Sequence, residues 1–311
     1  MKRLLIAYDG SPGAEAVLDD LPLAGLPAQL EVCVISVADV WLPLDKAGDL
    51  ADKIPMTPAI KAARAQANEV VQSMRQTAEE ACVRLRTKFP SWTITPFTCA
   101  DSPGWAIVGK ADDWNADLVS VGSHGRSVLE KFFLGSVGQR VVAEATCSVR
   151  VVRARKDLKA GPLRVMVAVD GSSDSAIAVE KAAARKWPAN TQFQVVAIMD
   201  PRLQAVGAWP SPYADQWVRD HFRDSSDWVS HMAKRFASQL TAAGCPAEAH
   251  IFDGDPKHLL LKKVEQMNID CLFLGARGLH HGDRHFLGTL ASAVSARAHC
   301  TVEIVRPPRA K

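Results

Sequence analysis

The sequence has no long hydrophobic run. No apolar stretch in its 311 residues approaches the ~18 residues that a membrane-spanning helix needs. The opening MKRLLIAYDG has basic residues and a short apolar run, but Asp9 ends that run before the ~7–15 apolar residues of a signal peptide are complete. No small-residue cleavage site follows. These absences argue against a membrane protein and predict a cytoplasmic one.

Paired cysteines and a strong excess of one charge are missing too. The seven cysteines are scattered and form no CxxC pair, so we expect reduced thiols. The formal net charge is only +3, and neither half has the dense basic stripe that binding to a phosphate backbone requires. The sequence therefore predicts no nucleic-acid partner. With 48% hydrophobic and 23% charged residues, the composition excludes a disordered chain.

Familiar catalytic motifs are lacking as well. The sequence contains no nucleophile elbow, no HExxH zinc motif and no HxGH motif of nucleotidyl transferases. No pair of carboxylates has an evident catalytic task. We therefore predict no catalytic residues and do not expect a dedicated enzyme.

What the sequence does contain is an internal repeat. Three pairs of segments match, in the same order in both halves: RLLIAYDGS (3–11) with RVMVAVDGS (164–172), GSHGRSVLEKFFLGSV (122–137) with GARGLHHGDRHFLGTL (275–290), and CSVRVVR (147–153) with CTVEIVR (300–306). The first pair lies 161 residues apart and the other two lie 153 residues apart. Such a period is too long for a solenoid and indicates two copies of one domain.

The boundary between the copies falls in RARKDLKAGPL (153–163). This segment is charged, lacks apolar periodicity and contains Gly161 and Pro162, which is typical of a linker. We expect domain 1 at residues 1–155, a linker at 156–162 and domain 2 at 163–311.

Predicted strands and helices alternate in each half. LLIAY (4–8) is a continuous apolar run, as expected for a strand buried on both faces, and Ser11 followed by Pro12 predicts the start of a helix. Five strands alternating with helices in each half indicate parallel βαβ units. The predicted fold class is therefore α/β, with two tandem, doubly wound, five-stranded parallel-sheet domains.

Ligands of such sheets bind beyond the carboxyl ends of the strands, where the strand order reverses. This rule brings Asp9, at the end of strand 1, close to Gly122, at the end of strand 4. In the second half it brings Asp170 close to Gly275. Residues more than 100 positions apart in sequence are thus expected to share one crevice in each half.

A glycine motif follows the fourth strand of each half. The first copy consists of Gly122, Gly125, Gly135 and Ser136, and the second of Gly275, Gly278, Gly288 and Thr289. A strand enters the motif and a helix leaves it, so its glycines and the unpaired N–H groups of the helix start predict a phosphate cradle. It is not a Walker motif, since no Gly-Lys-Ser/Thr follows. The alternative is that the glycines serve only a turn and a helix cap.

These motifs together resemble a tandem member of the universal stress protein family. The resemblance rests on AYDGS and AVDGS, on both glycine motifs, and on the strand endings VRVVR and VEIVR, and it covers nearly the whole chain twice. It implies a doubly wound fold and, in the nucleotide-binding members, ATP held with adenine and ribose near strands 1 and 2 and the phosphates at the glycine motif.

By position, the resemblance implies nucleotide contacts in both halves. They are Asp9, Val37, Gly122, Gly125, Gly135 and Ser136 in the first half, and Asp170, Ile198, Gly275, Gly278, Gly288 and Thr289 in the second. A carboxylate can accept hydrogen bonds from ribose hydroxyls, and an apolar side chain can pack against adenine. The alternative for both aspartates is a turn-forming role, because Asp-Gly favours turns.

The two predicted sites differ in their loops. The first has Arg126 directly after its second glycine, where it could pair with phosphate, and the second has Leu279 there. We therefore expect ATP at the first site rather than the second. The second loop also carries a run of polar residues that could be metal ligands or an ordinary polar loop, namely His280, His281, Asp283 and His285. We predict no metal beyond Mg²⁺ accompanying the nucleotide.

Three functions follow from these features. The first is a cytoplasmic stress-response protein that binds ATP or another adenine nucleotide and regulates protein partners, with at most slow ATP hydrolysis. The second is a nucleotide-independent interaction protein or holdase-like scaffold. The third, an enzyme acting on adenylates, is disfavoured by the missing motifs. Single-domain family members commonly dimerise through strand 5, so we expect 149–152 and 302–305 to pair within the chain as a pseudo-dimer, and leave a further homodimer open.

Overall fold

The structure is a computed structural model. It describes residues 1–40, 57–123, 134–154, 161–200, 225–278 and 287–308. The described strands of the first half are β1 (Arg3–Ala7), β2 (Glu31–Ala38), β3 (Thr93–Ala100), β4 (Leu118–Gly122) and β5 (Ser148–Val152). Its helices are α1 (Pro12–Asp20), a 3-10 turn (Leu21–Leu23), α2 (Pro58–Lys88), α3 (Pro103–Asp113) and α4 (Ser136–Glu144).

The second half repeats this order. Its described strands are β6 (Arg164–Val169), β7 (Gln192–Met199), β8 (Ala247–Asp253), β9 (Cys271–Gly275) and β10 (Thr301–Val305). Its described helices are α5 (Ser173–Ala183), α6 (Ser225–Ala242), α7 (Pro256–Gln266) and α8 (Thr289–Arg297). The sequence predicts a helix over about 213–243, of which 213–224 lies outside the described residues.

The ten described strands form one sheet, in the order β3-β2-β1-β4-β5-β10-β9-β6-β7-β8. Pairing within each half is parallel, and the two halves join where β5 and β10 pair antiparallel, with Val302 opposite Val151 and Ile304 opposite Val149. The predicted pseudo-dimer and fold class are confirmed. The joint pairs two strands that would otherwise be exposed sheet edges.

Helices cover both faces of the sheet. On one face, a single cluster of buried apolar residues joins α3 and α4 of the first half to α7 and α8 of the second. On the other face, α1 and α2 enclose one cluster and α5 and α6 enclose another. Because burial of one large apolar side chain contributes about 1.5–3 kcal/mol, the shared cluster helps to hold the halves together.

Local sequence signals explain where the helices begin. The Ser11 side chain accepts from the N–H of Ala14 at 3.2 Å, and Pro12 is the first residue of α1. Pro96 lies in β3, at an edge of the sheet, where a missing N–H is tolerated. Among the described helices, none combines the length and the apolar character that crossing a membrane requires.

Candidate functional site

The sheet order places a crevice at the carboxyl end of β1. This strand pairs with β2 on one side and with β4 on the other, so the order of the strands in the sheet reverses at β1. Asp9 lies two residues beyond the end of β1, and Gly122 is the last residue of β4. In the second half β6 lies between β7 and β9, so Asp170 and Gly275 occupy the same positions. Crevices of this kind bind ligands in open α/β sheets.

Each strand-end aspartate shapes the turn that follows it. Asp9 Oδ1 accepts from the N–H of Ser11 at 3.0 Å, across Gly10, whose φ of +75° suits glycine. Asp170 Oδ1 accepts from both the N–H and the hydroxyl of Ser172, at 3.0 and 2.6 Å. A turn-forming role is therefore present in both halves, and it engages one oxygen of each carboxylate.

The first glycine of each motif lets the strand end pack against the neighbouring helix. A Cβ on Gly122 would lie 2.5 Å from the carbonyl carbon and oxygen of Gly13 in α1. A Cβ on Gly275 would lie 2.7 Å from the Cβ of Asp174 in α5. Neither position has room for a side chain, with or without a ligand. Sequence reasoning assigned these glycines to ligand approach and missed this packing role.

The last glycine of each motif leaves a helix start without a side-chain cap. Gly135 and Gly288 are the N-cap residues of α4 and α8, and neither helix has a side-chain hydrogen bond at its cap. The Gly135 N–H donates to Ser123 O, and the Gly288 N–H to Ala276 O, both at 2.8 Å. The first-turn N–H groups, with the positive end of the helix dipole, are suited to an anion. Ser136 and Thr289 are the first residues of these helices.

In the second half the three parts of the crevice are contiguous. A Cβ on Gly278 would lie 2.9 Å from Asp170 Oδ2, and a Cβ on Gly288 would lie 3.8 Å from the backbone N of Gly278. The strand-end carboxylate, the second glycine of the motif and the helix start therefore lie next to one another. An acceptor for hydroxyl groups next to donors for phosphate oxygens is a donor set that fits a nucleotide.

The two apolar positions lie on neighbouring strands. Val37 is the second-last residue of β2 and Ile198 the second-last residue of β7. Both are half-buried and pack against the shared apolar cluster. They flank the crevices on the β2 and β7 sides, where each offers a partly accessible apolar surface.

In the first half, a polar cluster braces the strand that carries Asp9. Tyr8 is buried, and its hydroxyl makes a short hydrogen bond to Glu15 of α1, which also receives two hydrogen bonds of 2.8 Å from Arg84 of α2. Burial and the Glu15 hydrogen bond raise the pKa of Tyr8 to about 12. The hydrogen bond from Arg84 lowers the pKa of Glu15. This cluster joins β1, α1 and α2 beside the crevice.

In the second half, an ion pair attaches the glycine motif itself to a helix. Arg277 lies between the two glycines and donates Nε and Nη2 to the carboxylate of Asp174, at 2.9 and 2.8 Å. Asp174 is only 2% exposed. The hydrogen bonds that Arg277 donates to Asp174 raise the pKa of Arg277. Sequence reasoning missed this pair, and the available signal was Asp174 at the position where the first half has Gly13.

Some predicted residues lie outside the described ranges. They are Gly125, Arg126 and the segment His280, His281, Asp283 and His285. Among the residues that the structure does describe, no group of three or more His, Cys, Asp or Glu side chains could hold a metal ion.

Comparisons with known proteins agree with this architecture. The family model described as the Universal stress protein family matches residues 1–153 and 163–306. A universal stress protein of Methanocaldococcus jannaschii is 29% identical over 160 residues, which is 50% of this chain and 84% of that protein. Another from Bacillus subtilis is 24% identical over 149 residues, covering 46% of this chain and 98% of the relative.

A solved structure matches over the whole length. The crystal structure of a universal stress protein from Archaeoglobus fulgidus has a TM-score of 0.62 and 19% identity, and the match covers 98% of both chains. This likeness shows the same tandem fold. Since the family model matches almost the entire sequence, in two successive segments, the chain belongs to the universal stress protein family.

Proposed function

We propose that the protein binds an adenine nucleotide, ATP in particular, at its strand-end crevices and that nucleotide occupancy regulates partner proteins in the stress response. The observation that carries the proposal is the contiguity of Asp170, Gly278 and the helix start at Gly288. A ribose hydroxyl can donate to the carboxylate, and phosphate oxygens can accept from the helix-start N–H groups. Family membership supports adenine as the base.

The residues of each half take matching roles in this proposal. Asp9 and Asp170 accept from the ribose, and Val37 and Ile198 pack against adenine. The phosphates lie at the glycine motifs, namely Gly122, Gly125, Gly135 and Ser136 in the first half and Gly275, Gly278, Gly288 and Thr289 in the second. Arg126 adds a positive charge to the first site, and Mg²⁺ accompanies the phosphates.

Three observations support the first site as the stronger one. Arg126 follows the second glycine there, whereas Leu279 stands at that position in the second half. Asp170 Oδ1 already accepts from the Ser172 hydroxyl at 2.6 Å, which competes with a ribose hydroxyl. Arg277, the described cation within the second motif, is held by Asp174. A nucleotide in the second half must therefore displace or avoid existing contacts.

A regulatory role follows from what binding alone can do. Nucleotide can change the surface offered to partners only if its affinity differs between two conformations of the protein. We propose that this equilibrium operates in the cytoplasm, with no catalytic residue and at most slow ATP hydrolysis.

The direct test of nucleotide binding is mass spectrometry of small molecules released from the purified, denatured protein. We expect an adenine nucleotide, and a rise of the thermal unfolding midpoint when ATP is added to stripped protein. If no adenine nucleotide is released and ATP leaves the midpoint unchanged, the proposal is wrong, and a nucleotide-independent scaffold replaces it.

A variant at the first helix start separates binding from folding. Gly135 has φ −61° and ψ 161°, and a Cβ there meets nothing closer than 3.6 Å, so other residues fit. Gly135→Asp places a favourable N-cap where the phosphate would lie, and should keep or raise stability while abolishing ATP binding at the first site. Gly135→Asn caps the helix without negative charge and is the matched control, with a smaller expected loss of affinity.

We also propose that the chain divides into domains at 1–155 and 163–311, with a linker at 156–162. Brief proteolysis of the native protein should then cut first within the linker. Initial cuts elsewhere between the strands of one half would contradict these limits.

A further inference from the structure

Where β5 and β10 pair, one residue of the first half lies opposite the equivalent residue of the second half. Arg150 in β5 lies directly opposite Glu303 in β10. These residues are 153 positions apart, the same offset that separates the two glycine motifs, so they are equivalent in the repeat. They therefore mark the pseudo-two-fold axis. If two copies of the same half paired in this way, this residue would face itself.

The charges at this axis are buried and opposite in sign. Arg150 is 1% exposed and Glu303 is 0% exposed, and Arg150 Nη1 donates to Glu303 Oε2 at 3.0 Å. Each is also held within its own half. Asp20 receives Nε and Nη2 of Arg150 at 2.6 and 3.1 Å, and Arg185 makes a short ion pair with Glu303.

Pairing of like halves would preserve these internal ion pairs and lose the Arg150–Glu303 pair. Arg150–Asp20 would survive in a pair of first halves, and Arg185–Glu303 in a pair of second halves. The axis, however, would bring together two guanidinium groups or two carboxylates, both out of water. Like charges directly opposite each other on paired strands are destabilising, and burial strengthens the repulsion. The difference between unlike and like pairing therefore depends on Arg150 and Glu303.

The shapes of the two halves are complementary beside the axis. A Cβ on Gly25 would lie 3.0 Å from both Arg185 Cβ and Trp187 Cδ2. Across the same contact Arg185 Nη1 donates to Ala24 O at 2.8 Å, and the Lys186 N–H to Gly25 O at 3.0 Å. The repeat makes Ala24 equivalent to Arg185, and Gly25 equivalent to Lys186. A pair of first halves would leave a gap between two small Ala-Gly loops. A pair of second halves would force two cationic Arg-Lys loops together.

Two arginine contacts across the joint do not discriminate in this way. Arg153 donates to Ser295 O and Ala296 O of α8, at 2.8 and 3.1 Å, and its counterpart Arg306 donates to Val142 O of α4 at 2.8 Å. Because both are arginines that reach the last turn of the other half's helix, like halves could make the same contacts. These two arginine contacts therefore add no selectivity, in contrast to the axis and the Gly25 loop.

We propose that the Arg150–Glu303 pair and the fit of Arg185 and Trp187 against Gly25 make the first half selective for the second half. The partner of the β5 edge is the β10 edge of a second half, and neither half pairs with a copy of itself. Specificity of this kind comes from penalties on the wrong partner as well as contacts with the right one.

The test begins with the full chain, carrying a protease site within 155–160. Unlabelled and ¹⁵N-labelled proteins are each folded, cut, mixed in mild denaturant, returned to buffer and weighed by native mass spectrometry. We expect isotope-mixed pairs of a first with a second half, and no pairs of like halves. Like pairs in amounts near a random mixture would overturn the proposal.

A neutral axis should relax this selectivity. The variant combines Asp20→Asn, Arg150→Met, Arg185→Met and Glu303→Met, so that the four charged groups of the axis are neutralised together. With Trp187→Ala added to remove the fit at Gly25, like pairs should appear and approach the random fraction. If this cut chain excludes like pairs as completely as the natural one, the proposal is wrong.

The uncut chain supplies a second measurement that does not depend on exchange. Glu303→Arg sets two cations face to face, whereas Glu303→Met has a similar side-chain length and no charge. The thermal midpoint of Glu303→Arg should lie about 5 °C or more below that of Glu303→Met. Equal midpoints would show that charge at the axis does not select the partner, and would contradict the proposal.

Discussion

The two crevices of this protein share a backbone arrangement and differ in what supports it. In the first half, Tyr8, Glu15 and Arg84 join β1 to two helices, and these hydrogen bonds do not involve a residue of the glycine motif. In the second half, Arg277 within the motif is bound to Asp174 of α5. The comparison teaches that a duplicated domain can keep its strand ends and glycines while the side-chain contacts beside each crevice diverge.

This divergence bears on ligand binding. A loop whose cation is already paired within the protein must give up that pair before the cation can serve a phosphate. The first half has Gly13 where the second has Asp174, so that particular attachment is missing from its helix. This difference beside the two crevices is consistent with the unequal nucleotide affinities proposed above.

The largest expected effect concerns a feature that the halves share. Gly122→Ala should destabilise the protein by about 3 kcal/mol, because the added Cβ would meet the Gly13 backbone at 2.5 Å. Gly275→Ala should lower the free energy of unfolding by a similar amount. Urea denaturation measures the free energy of unfolding of both variants, and Gly109→Ala is the control. Gly109 lies in α3 with nothing within 4 Å of its added Cβ, so this change should stabilise by about 0.5–1 kcal/mol. A tolerated Gly122→Ala would contradict the packing role.

The next largest effect differs between the two halves. Asp174→Ala should cost about 2–3 kcal/mol of unfolding free energy, because it removes a carboxylate that is 2% exposed and leaves the Arg277 guanidinium largely buried. Glu15→Ala should cost only about 0.5 kcal/mol, since Glu15 and Arg84 are 37% and 53% exposed and water screens their attraction. Equal losses in urea denaturation would contradict this difference between the two attachments.

A smaller effect appears only in alkali. An unfolded tyrosine loses its proton near pH 10, whereas the pKa of Tyr8 is raised to about 12 in the folded protein. Its contribution to stability is therefore complete below about pH 10 and is lost as the pH rises through about 12. Stability should fall more between about pH 9 and pH 11 in the natural protein than in Tyr8→Phe. The second half has Val169 at this position, so the effect belongs to the first half. Parallel losses in both proteins would rule out the raised pKa.

The sequence predicted the fold well because strands, helix starts and the connections between parallel strands follow from local residue patterns that both halves repeat. Apolar runs marked the strands, and Ser11 with Pro12 marked a helix start. The pairing of 149–152 with 302–305 was expected from the family resemblance, and the structure adds that it is antiparallel. These features depend on near neighbours and on the way parallel strands must connect.

The attachments of the site were beyond sequence reasoning. Arg277 and Asp174 are 103 residues apart, and Arg84 and Glu15 are 69 apart, so nothing local pairs them. The glycines illustrate a second reason. The spacing of the motif indicates that residue 122 must be small. Close approach of a ligand and close packing of a helix would both require glycine there. Only the positions of the surrounding atoms show that the helix is the close neighbour.

The proposed inequality of the sites can be measured by isothermal titration of ATP into stripped protein, Gly135→Asp and Gly288→Asp. The stronger binding step should belong to the first half, so Gly135→Asp should remove it while Gly288→Asp leaves it in place. If the stronger step instead survives Gly135→Asp and disappears in Gly288→Asp, the second half holds the principal nucleotide site and the proposed ranking is contradicted.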